Sequence, residues 1–174
     1  MIELHYAPTP NGHKISIALE EMGLDYEVHR VNIGQGDQFK PEFLAFSPNN
    51  RIPAIIDHHG EGDEPVGIFE SGAILMYLAE KTGQLLPAAG TARKTVIEWL
   101  MWQMGGVGPM FGQAHHFNFY AKEKVDYAMD RYSKESNRLY GVLDRRLDGR
   151  EFVADDFSIA EIAIFPWTRT FERQ

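Results

Sequence analysis

The sequence contains no cysteine. The chain therefore cannot form a disulfide scaffold, a cysteine-ligated zinc site or a thiol nucleophile of its own. No apolar run approaches the roughly 20 residues that a membrane-spanning helix needs. No basic segment precedes an apolar stretch after Met1, so we expect no signal peptide and a cytoplasmic protein.

Basic residues are also scarce. Lys and Arg number 17 against 25 Asp and Glu in 174 residues, a formal net charge of −8. Nucleic-acid binding depends strongly on the neutralisation of phosphates by basic side chains. We therefore expect no nucleic-acid partner and, without a spanning segment, no membrane partner.

The first half of the chain alternates between strand and helix patterns, separated by clusters of Gly, Pro and Asn. The opening strand, helix and strand fit a βαβ unit with a parallel strand pair. The predicted order is βαβαββα. Its elements are strand 2–7, helix 13–22, strand 26–32, helix 41–46, strands 52–57 and 65–69, and helix 70–82.

The second half has helical patterns and no convincing strand. Residues 96–104 form a heavily apolar helix pattern that meets a Gly-rich run, and residues 127–147 form a long amphipathic one. Ser158 and Glu161 have the spacing of a capping box at the start of a last helix. The predicted organisation is a unit of residues 1–82, a linker of residues 83–93 and an all-helical unit of residues 94–174.

Two loops that lead into helices are candidate ligand sites. The loop 8–12 follows the first strand, and Glu70-Ser71 begins the helix 70–82. Helix N-termini attract carboxylates, the Ser71 hydroxyl can add a hydrogen bond, and Glu70 can bind an ammonium group. The pair would therefore suit the α-amino-acid end of a ligand. The alternative is that Ser71 only caps the helix and Glu70 only complements its dipole.

Pro53 begins a predicted strand, where it cannot donate a backbone hydrogen bond. X-Pro bonds are the main source of cis peptides. A cis bond would turn the Ile52 backbone groups outward, where they could pair with an extended peptide ligand. The alternative is a trans proline on an edge strand.

Five segments of the chain carry a resemblance to a known family. They are 7–14 (APTPNGHK), 47–55 (SPNNRIPAI), 69–74 (FESGAI), 105–110 (GGVGPM) and 113–117 (QAHHF). The first three together resemble the glutathione S-transferase superfamily. The loop 8–14, with the last two segments, is similar to its bacterial Nu class, which contains disulfide-bond oxidoreductases.

The resemblance covers the whole chain. It implies a thioredoxin-like α/β N-terminal domain (βαβαββα) followed by an all-α C-terminal domain. Because family members usually continue for further helices, we expect this C-terminal domain to be shortened.

The resemblance implies a binding site for glutathione as a cosubstrate. Glu70 and Ser71 would hold its γ-glutamyl group, and the Ile52 backbone its cysteinyl unit. Thr9 would place its hydroxyl beside the sulfur. Asn11 would contact the same ligand, and we take Thr9 and Asn11 as the catalytic pair because both can donate to a thiolate.

Three further binding residues follow from the resemblance. Gln38 would be a side-chain contact, Arg51 would lie near the glycyl carboxylate, and Arg131 would reach the ligand site in a homodimer. A homodimer is also expected from the large apolar side chains of the helical half, which exceed what an incomplete domain can cover. These side chains are Trp99, Trp102, Met104 and Met110.

Other candidate residues are weaker. Tyr6 could activate a thiol, but it lies within a strand pattern where aromatic residues usually pack in the core. His115 and His116 are adjacent, point in different directions on a helix and have no third ligand nearby, so we expect no metal.

The resemblance favours a glutathione-dependent enzyme that reduces small disulfides. Conjugation of glutathione to small electrophiles would use the same residues and stays an alternative. A non-catalytic scaffold with a transferase-like fold is the other alternative.

Overall fold

The computed structural model describes residues 1–173. These residues divide into two compact units, 1–86 and 87–173. The first unit contains strands β1 to β4 and helices α1 to α3. Their bounds are β1 Ile2–Tyr6, α1 Pro10–Glu21, β2 Tyr26–Arg30, α2 Pro41–Leu44, β3 Ala54–Asp57, β4 Val66–Phe69 and α3 Ser71–Thr82. This is the predicted βαβαββα order.

The four strands form one sheet in the order β2-β1-β3-β4. β1 runs parallel to β2 and antiparallel to β3, and β3 runs antiparallel to β4. Leu4 and Ile55 are fully buried in this sheet, and Ile15, Leu75 and Leu78 are fully buried on the helices. The apolar stripes of α1 and α3 thus form the core of the thioredoxin-like unit.

The sheet register sets where the connecting loops lie. His5 near the end of β1 is opposite Ala54 at the start of β3, and Ala54 is opposite Phe69 at the end of β4. The loop after β1, the residues before β3 and the turn after β4 therefore leave the sheet at the same edge.

The second unit is built from helices. Their bounds are α4 Gly90–Trp102, α5 Gly108–His115, α6 Asp126–Leu147 and α7 Ile159–Thr168, with π-helical turns at Gln103–Val107 and His116–Tyr120. Its core contains Val107, Phe111, Leu139 and Trp167. The predicted capping box is present, because Ser158 accepts from the Ala160 backbone and Glu161 accepts from the Ser158 backbone.

Two features of this unit differ from the sequence patterns. α4 begins at Gly90, within the segment 83–93 that was predicted as a linker. The Gly-rich run after Trp102 does not end the helix, since a π-helical turn carries the backbone into α5. A π turn accommodates the extra residue without breaking the succession of backbone hydrogen bonds. Across residues 1–173, no helix is both long and apolar enough to cross a membrane.

Candidate functional site

Thr9 caps the N-terminus of α1. Its Oγ1 accepts a hydrogen bond from the Gly12 backbone N–H at 3.2 Å, and Pro10 occupies the first helical position. A side chain at Gly12 would not fit, because a Cβ there would come within 2.2 Å of the Ala7 carbonyl oxygen. The loop therefore turns tightly from β1 into α1 and holds Thr9 and Asn11 at the head of that helix.

The Tyr6 hydroxyl is engaged within this segment. It lies 3.1 Å from His13 Nδ1, one turn into α1. The Tyr6 ring also lies against Gly12, where a Cβ would meet it at 2.9 Å. This packing is the structural role that the strand pattern favoured for Tyr6.

The head of α3 combines a strained backbone with a buried hydroxyl. Glu70 precedes the helix with φ 69° and ψ 116°. A non-glycine residue with such a positive φ costs about 1–3 kcal/mol, and such residues cluster at functional sites. Ser71 follows and is 4% exposed. The Glu70 carboxylate lies at the surface, where its Oε1 accepts from Asn49 Nδ2 at 3.1 Å.

Lys14 joins the heads of α1 and α3. Its Nζ donates to Ser71 Oγ at 3.3 Å, and the residue is 1% exposed. Burial lowers the pKa of Lys14 from 10.5 to about 7, although the nearby Glu70 carboxylate opposes this shift. An anion bound beside Ser71 would favour the charged ammonium form.

Lys14 was not assigned a role from the sequence. The signal that could have identified it is its position four residues before Ala18, on the buried face of α1. A lysine on the buried face of an amphipathic helix needs a polar partner, because lysine is almost never fully buried without one.

The segment before β3 contains the predicted cis peptide, at Ile52–Pro53. β3 begins only at Ala54, so Ile52 precedes the strand ladder. Ser47 donates from its hydroxyl to the Arg51 carbonyl oxygen at 2.9 Å and so fixes the loop that leads to Ile52. Arg51 itself is exposed, with its guanidinium 3.4 Å from Asn50 Oδ1.

Gln38 and Arg131 belong to other segments: Gln38 lies between β2 and α2, and Arg131 lies on α6. Gln38 donates from Nε2 to the Ile33 carbonyl oxygen at 3.3 Å, and its buried Oε1 has no hydrogen-bond partner in the described part of the chain. Arg131 is exposed on α6, where it lines a groove of about 580 Å³ within the second unit together with Met110, Glu135 and Arg138.

The geometry thus brings Thr9, Asn11, Ile52, Glu70 and Ser71 to one edge of the sheet. Lys14 is buried there and bonded to Ser71. Residues 1–80 match the family described as the glutathione S-transferase N-terminal domain. The disulfide-bond oxidoreductase YfcG of Escherichia coli strain K12 is 53% identical over 100% of this chain and 82% of its own length. The chain belongs to the glutathione S-transferase family.

Other members of the family match along most of this chain. The disulfide-bond oxidoreductase YghU of Escherichia coli is 42% identical over 95% of this chain, which spans 59% of YghU. A glutathione transferase family member from Pseudomonas fluorescens, solved with two glutathione bound, has a TM-score of 0.94 and 56% identity and covers 97% of this chain and 75% of its own. A glutathione transferase from Pseudomonas putida, with one glutathione disulfide bound per subunit, has a TM-score of 0.94 and 55% identity over 97% of this chain and 74% of its own.

Proposed function

We propose that this glutathione S-transferase family member is a glutathione-dependent thiol–disulfide oxidoreductase that reduces small disulfides. One observation carries the proposal. Lys14 and Ser71 form a buried hydrogen bond beneath the heads of two helices, at the edge where Ile52 also lies. This arrangement suits an extended peptide with a carboxylate at one end, and the adjacent head of α1 offers donors to a thiolate.

The γ-glutamyl end of glutathione fits the head of α3. Its carboxylate would accept from the Ser71 hydroxyl and would offset the charge of Lys14, and its ammonium group would pair with Glu70. The cysteinyl unit would extend along the Ile52 backbone in the manner of an added strand. Arg51 would pair with the glycyl carboxylate, and Gln38 would contribute a further side-chain contact.

The thiol would lie at the head of α1. A helix N-terminus and nearby donors lower the pKa of a thiol by stabilising its thiolate. Thr9 Oγ1 already accepts from Gly12, so its own hydrogen can be donated to the sulfur. Asn11 can donate from its side-chain amide to the same sulfur or to a second glutathione.

The reaction then needs no sulfur from the protein. The bound thiolate attacks one sulfur of the substrate disulfide, a new sulfur–sulfur bond forms, and the other substrate sulfur leaves as a thiolate. A second glutathione thiolate attacks the glutathione sulfur of this mixed disulfide and releases the remaining substrate thiolate. The products are two substrate thiols, after protonation, and glutathione disulfide.

Conjugation of the same thiolate to an electrophilic carbon is the alternative activity. An assay that compares reduction of bis-hydroxyethyl disulfide with conjugation of an aryl halide distinguishes the two. We expect disulfide reduction to dominate in the wild-type protein and to fall in Thr9→Ala. Retention on immobilised glutathione without turnover of either substrate would contradict both enzymatic functions.

We further propose that the protein acts as a homodimer in the cytoplasm, where glutathione is kept reduced. The argument for a dimer from uncovered apolar side chains is weakened, because two of those side chains, Trp102 and Met110, pack against the core of the second unit. The dimer therefore rests on the family resemblance, with Arg131 proposed to reach the ligand of the partner subunit.

A further inference from the structure

One face of the sheet carries a cluster of imidazole and carboxylate groups that the proposed function does not use. Glu3 and His5 point to the same side of β1, since alternate residues of a strand share a face. His29 on β2 is the register partner of His5. Glu3 Oε2 lies 3.4 Å from His5 Nε2 and 3.7 Å from His29 Nε2. We call these three residues the Glu3–His5–His29 cluster.

His5 Nε2 and His29 Nε2 are buried atoms without a hydrogen-bond partner in the described residues. A buried polar atom left without a partner costs free energy and calls for an explanation. The separations from Glu3 exceed those of ordinary charge-assisted hydrogen bonds, which are about 2.7–2.9 Å.

The donor set suits metal ligation. A carboxylate oxygen and imidazole nitrogens are ligands that Zn²⁺ commonly takes in proteins. The second carboxylate oxygen of Glu3, Oε1, lies 2.6 Å from His58 Nε2.

We propose that the Glu3–His5–His29 cluster binds a divalent transition-metal ion of the Zn²⁺ type. The three ligand atoms all lie within 4.8 Å of one another. Around a tetrahedral ion with bonds of about 2.0–2.2 Å, neighbouring ligand atoms are about 3.3–3.6 Å apart. The two distances from Glu3 are close to that value, and water would complete the coordination.

The surroundings of the cluster support the same assignment. His58 would hold the second carboxylate oxygen of Glu3, as hydrogen-bonded partners of metal-bound carboxylates do. The His5 ring packs at 4.5 Å from the Phe46 ring, which fixes it on one side, and the His29 ring stacks on it at 5.0 Å. Glu27 Oε1, 3.6 Å from His29 Nε2, adds a second negative charge.

The cluster escaped prediction from the sequence because its members are far apart along the chain. In the sequence, only the adjacent residues His115 and His116 suggest metal ligands. The pairing of β1 with β2 places His29 beside His5, and the turn after β3 brings His58 to Glu3.

Metal titration of the untagged protein tests the proposal. Zn²⁺ is titrated against a chromophoric chelator without glutathione, because thiols bind Zn²⁺. The variants are Glu3→Gln and His29→Gln, which keep the side-chain size approximately. His5 is left unchanged because its ring packs in the sheet. His59→Ala is the matched control, since His59 is an exposed histidine that pairs with Asp63 outside the cluster.

We expect the wild-type protein and His59→Ala to bind one Zn²⁺ with the same affinity. Each cluster variant is expected to lose about tenfold or more in affinity. Co²⁺ in place of Zn²⁺ should give the absorption bands of a tetrahedral site in the wild-type protein and not in Glu3→Gln. Circular dichroism establishes that each variant is folded. Unchanged Zn²⁺ affinity in either folded cluster variant, or no stoichiometric binding to the wild-type protein, would overturn the proposal.

Discussion

Lys14 donates a hydrogen bond to Ser71, a residue 57 positions later in the chain, and so couples the heads of α1 and α3. Burial holds the pKa of Lys14 at about 7, far below its usual 10.5. Near neutral pH the group can therefore gain or lose its charge in response to a ligand. Its charge state links the proposed glutathione site to pH.

We expect glutathione binding to take up protons at a pH just above 7. A ligand carboxylate beside Ser71 favours the ammonium form, so binding raises the pKa of Lys14 and draws a proton from the buffer. S-Methylglutathione is the ligand of choice because its sulfur does not titrate. Calorimetry in buffers of different ionisation enthalpy measures the uptake. Lys14→Met should reduce both the uptake and the affinity, and an equal uptake in the variant would contradict this role.

The stability of the unliganded protein should also depend on Lys14. Between the folded pKa of about 7 and the ordinary lysine pKa of 10.5, the unfolded chain keeps a proton that folded Lys14 has lost. The free energy of unfolding therefore rises with pH in this window. Urea unfolding at several pH values should show a flatter dependence for Lys14→Met than for the wild-type protein. Parallel curves for the two proteins would argue that Lys14 is charged throughout.

The sequence predicted the element order of the first unit because its signals are local. Breaker residues follow β1 at positions 8–12, and apolar residues recur at helical spacing through α1 and α3. The candidate residues Thr9, Glu70 and Ser71 could be located in the same way, since each lies where a strand gives way to a helix. Their predicted roles in binding glutathione stay predictions.

Other features depend on contacts that no local pattern contains. The burial of Lys14 requires a partner from α3, and Tyr6 is held by His13 only once β1 is docked beside α1. The Gly-rich run after Trp102 is a typical helix breaker in sequence. In the fold it passes through a π-helical turn into α5, whose first residue, Gly108, lies too close to the Gln103 side chain to accept a Cβ without adjustment.

The double variant Glu70→Gln, Ser71→Ala tests the head of α3. We expect glutathione binding to weaken by a few kcal/mol, because hydrogen bonds to charged groups contribute roughly 1.5–3 kcal/mol each. The fold should persist because both residues lie at a helix terminus, and circular dichroism checks it, since Ser71→Ala also removes the hydroxyl that accepts from buried Lys14. Calorimetry gives the affinity, and Asn49→Ala is a useful companion because it removes only the hydrogen bond to the Glu70 carboxylate. Unchanged affinity in the double variant would contradict a binding role for either residue. The alternative that Ser71 caps the helix is wrong, because the N-cap residue of α3 is Glu70, which makes no side-chain cap hydrogen bond.

Light scattering tests the proposed homodimer and with it the role of Arg131. We expect a mass of two chains at micromolar concentration. Arg131→Ala should weaken glutathione binding without changing that mass, because Arg131 is exposed on α6 and belongs to no buried cluster named above. The control is Lys134→Ala, because Lys134 is an exposed cation on the same helix that pairs with Asp130. A monomer at all concentrations would remove the cross-subunit role of Arg131.

Two hydroxyl groups near the end of β1, those of Tyr6 and Thr9, could donate a hydrogen bond to the glutathione sulfur. They differ in their hydrogen bonds within the protein. The Tyr6 hydroxyl is engaged with His13 Nδ1 at 3.1 Å. The Thr9 hydroxyl caps α1 as an acceptor and keeps its hydrogen for another partner. Thr9 is therefore the better donor to a thiolate at the helix N-terminus.

We expect Thr9→Ala to lower the turnover of disulfide reduction by about 10- to 100-fold, as the loss of one hydrogen bond to a charge would. Asn11→Ala should lower turnover in the same way, because the Thr9 and Asn11 donors would act on the same sulfur or on its glutathione partner. Tyr6→Phe should change turnover by less than about threefold. Thr9→Ser retains both the cap and the donor, so it should preserve turnover and separates catalysis from the lost cap. Activity that survives Thr9→Ala but not Tyr6→Phe would instead place the site among tyrosine-type transferases.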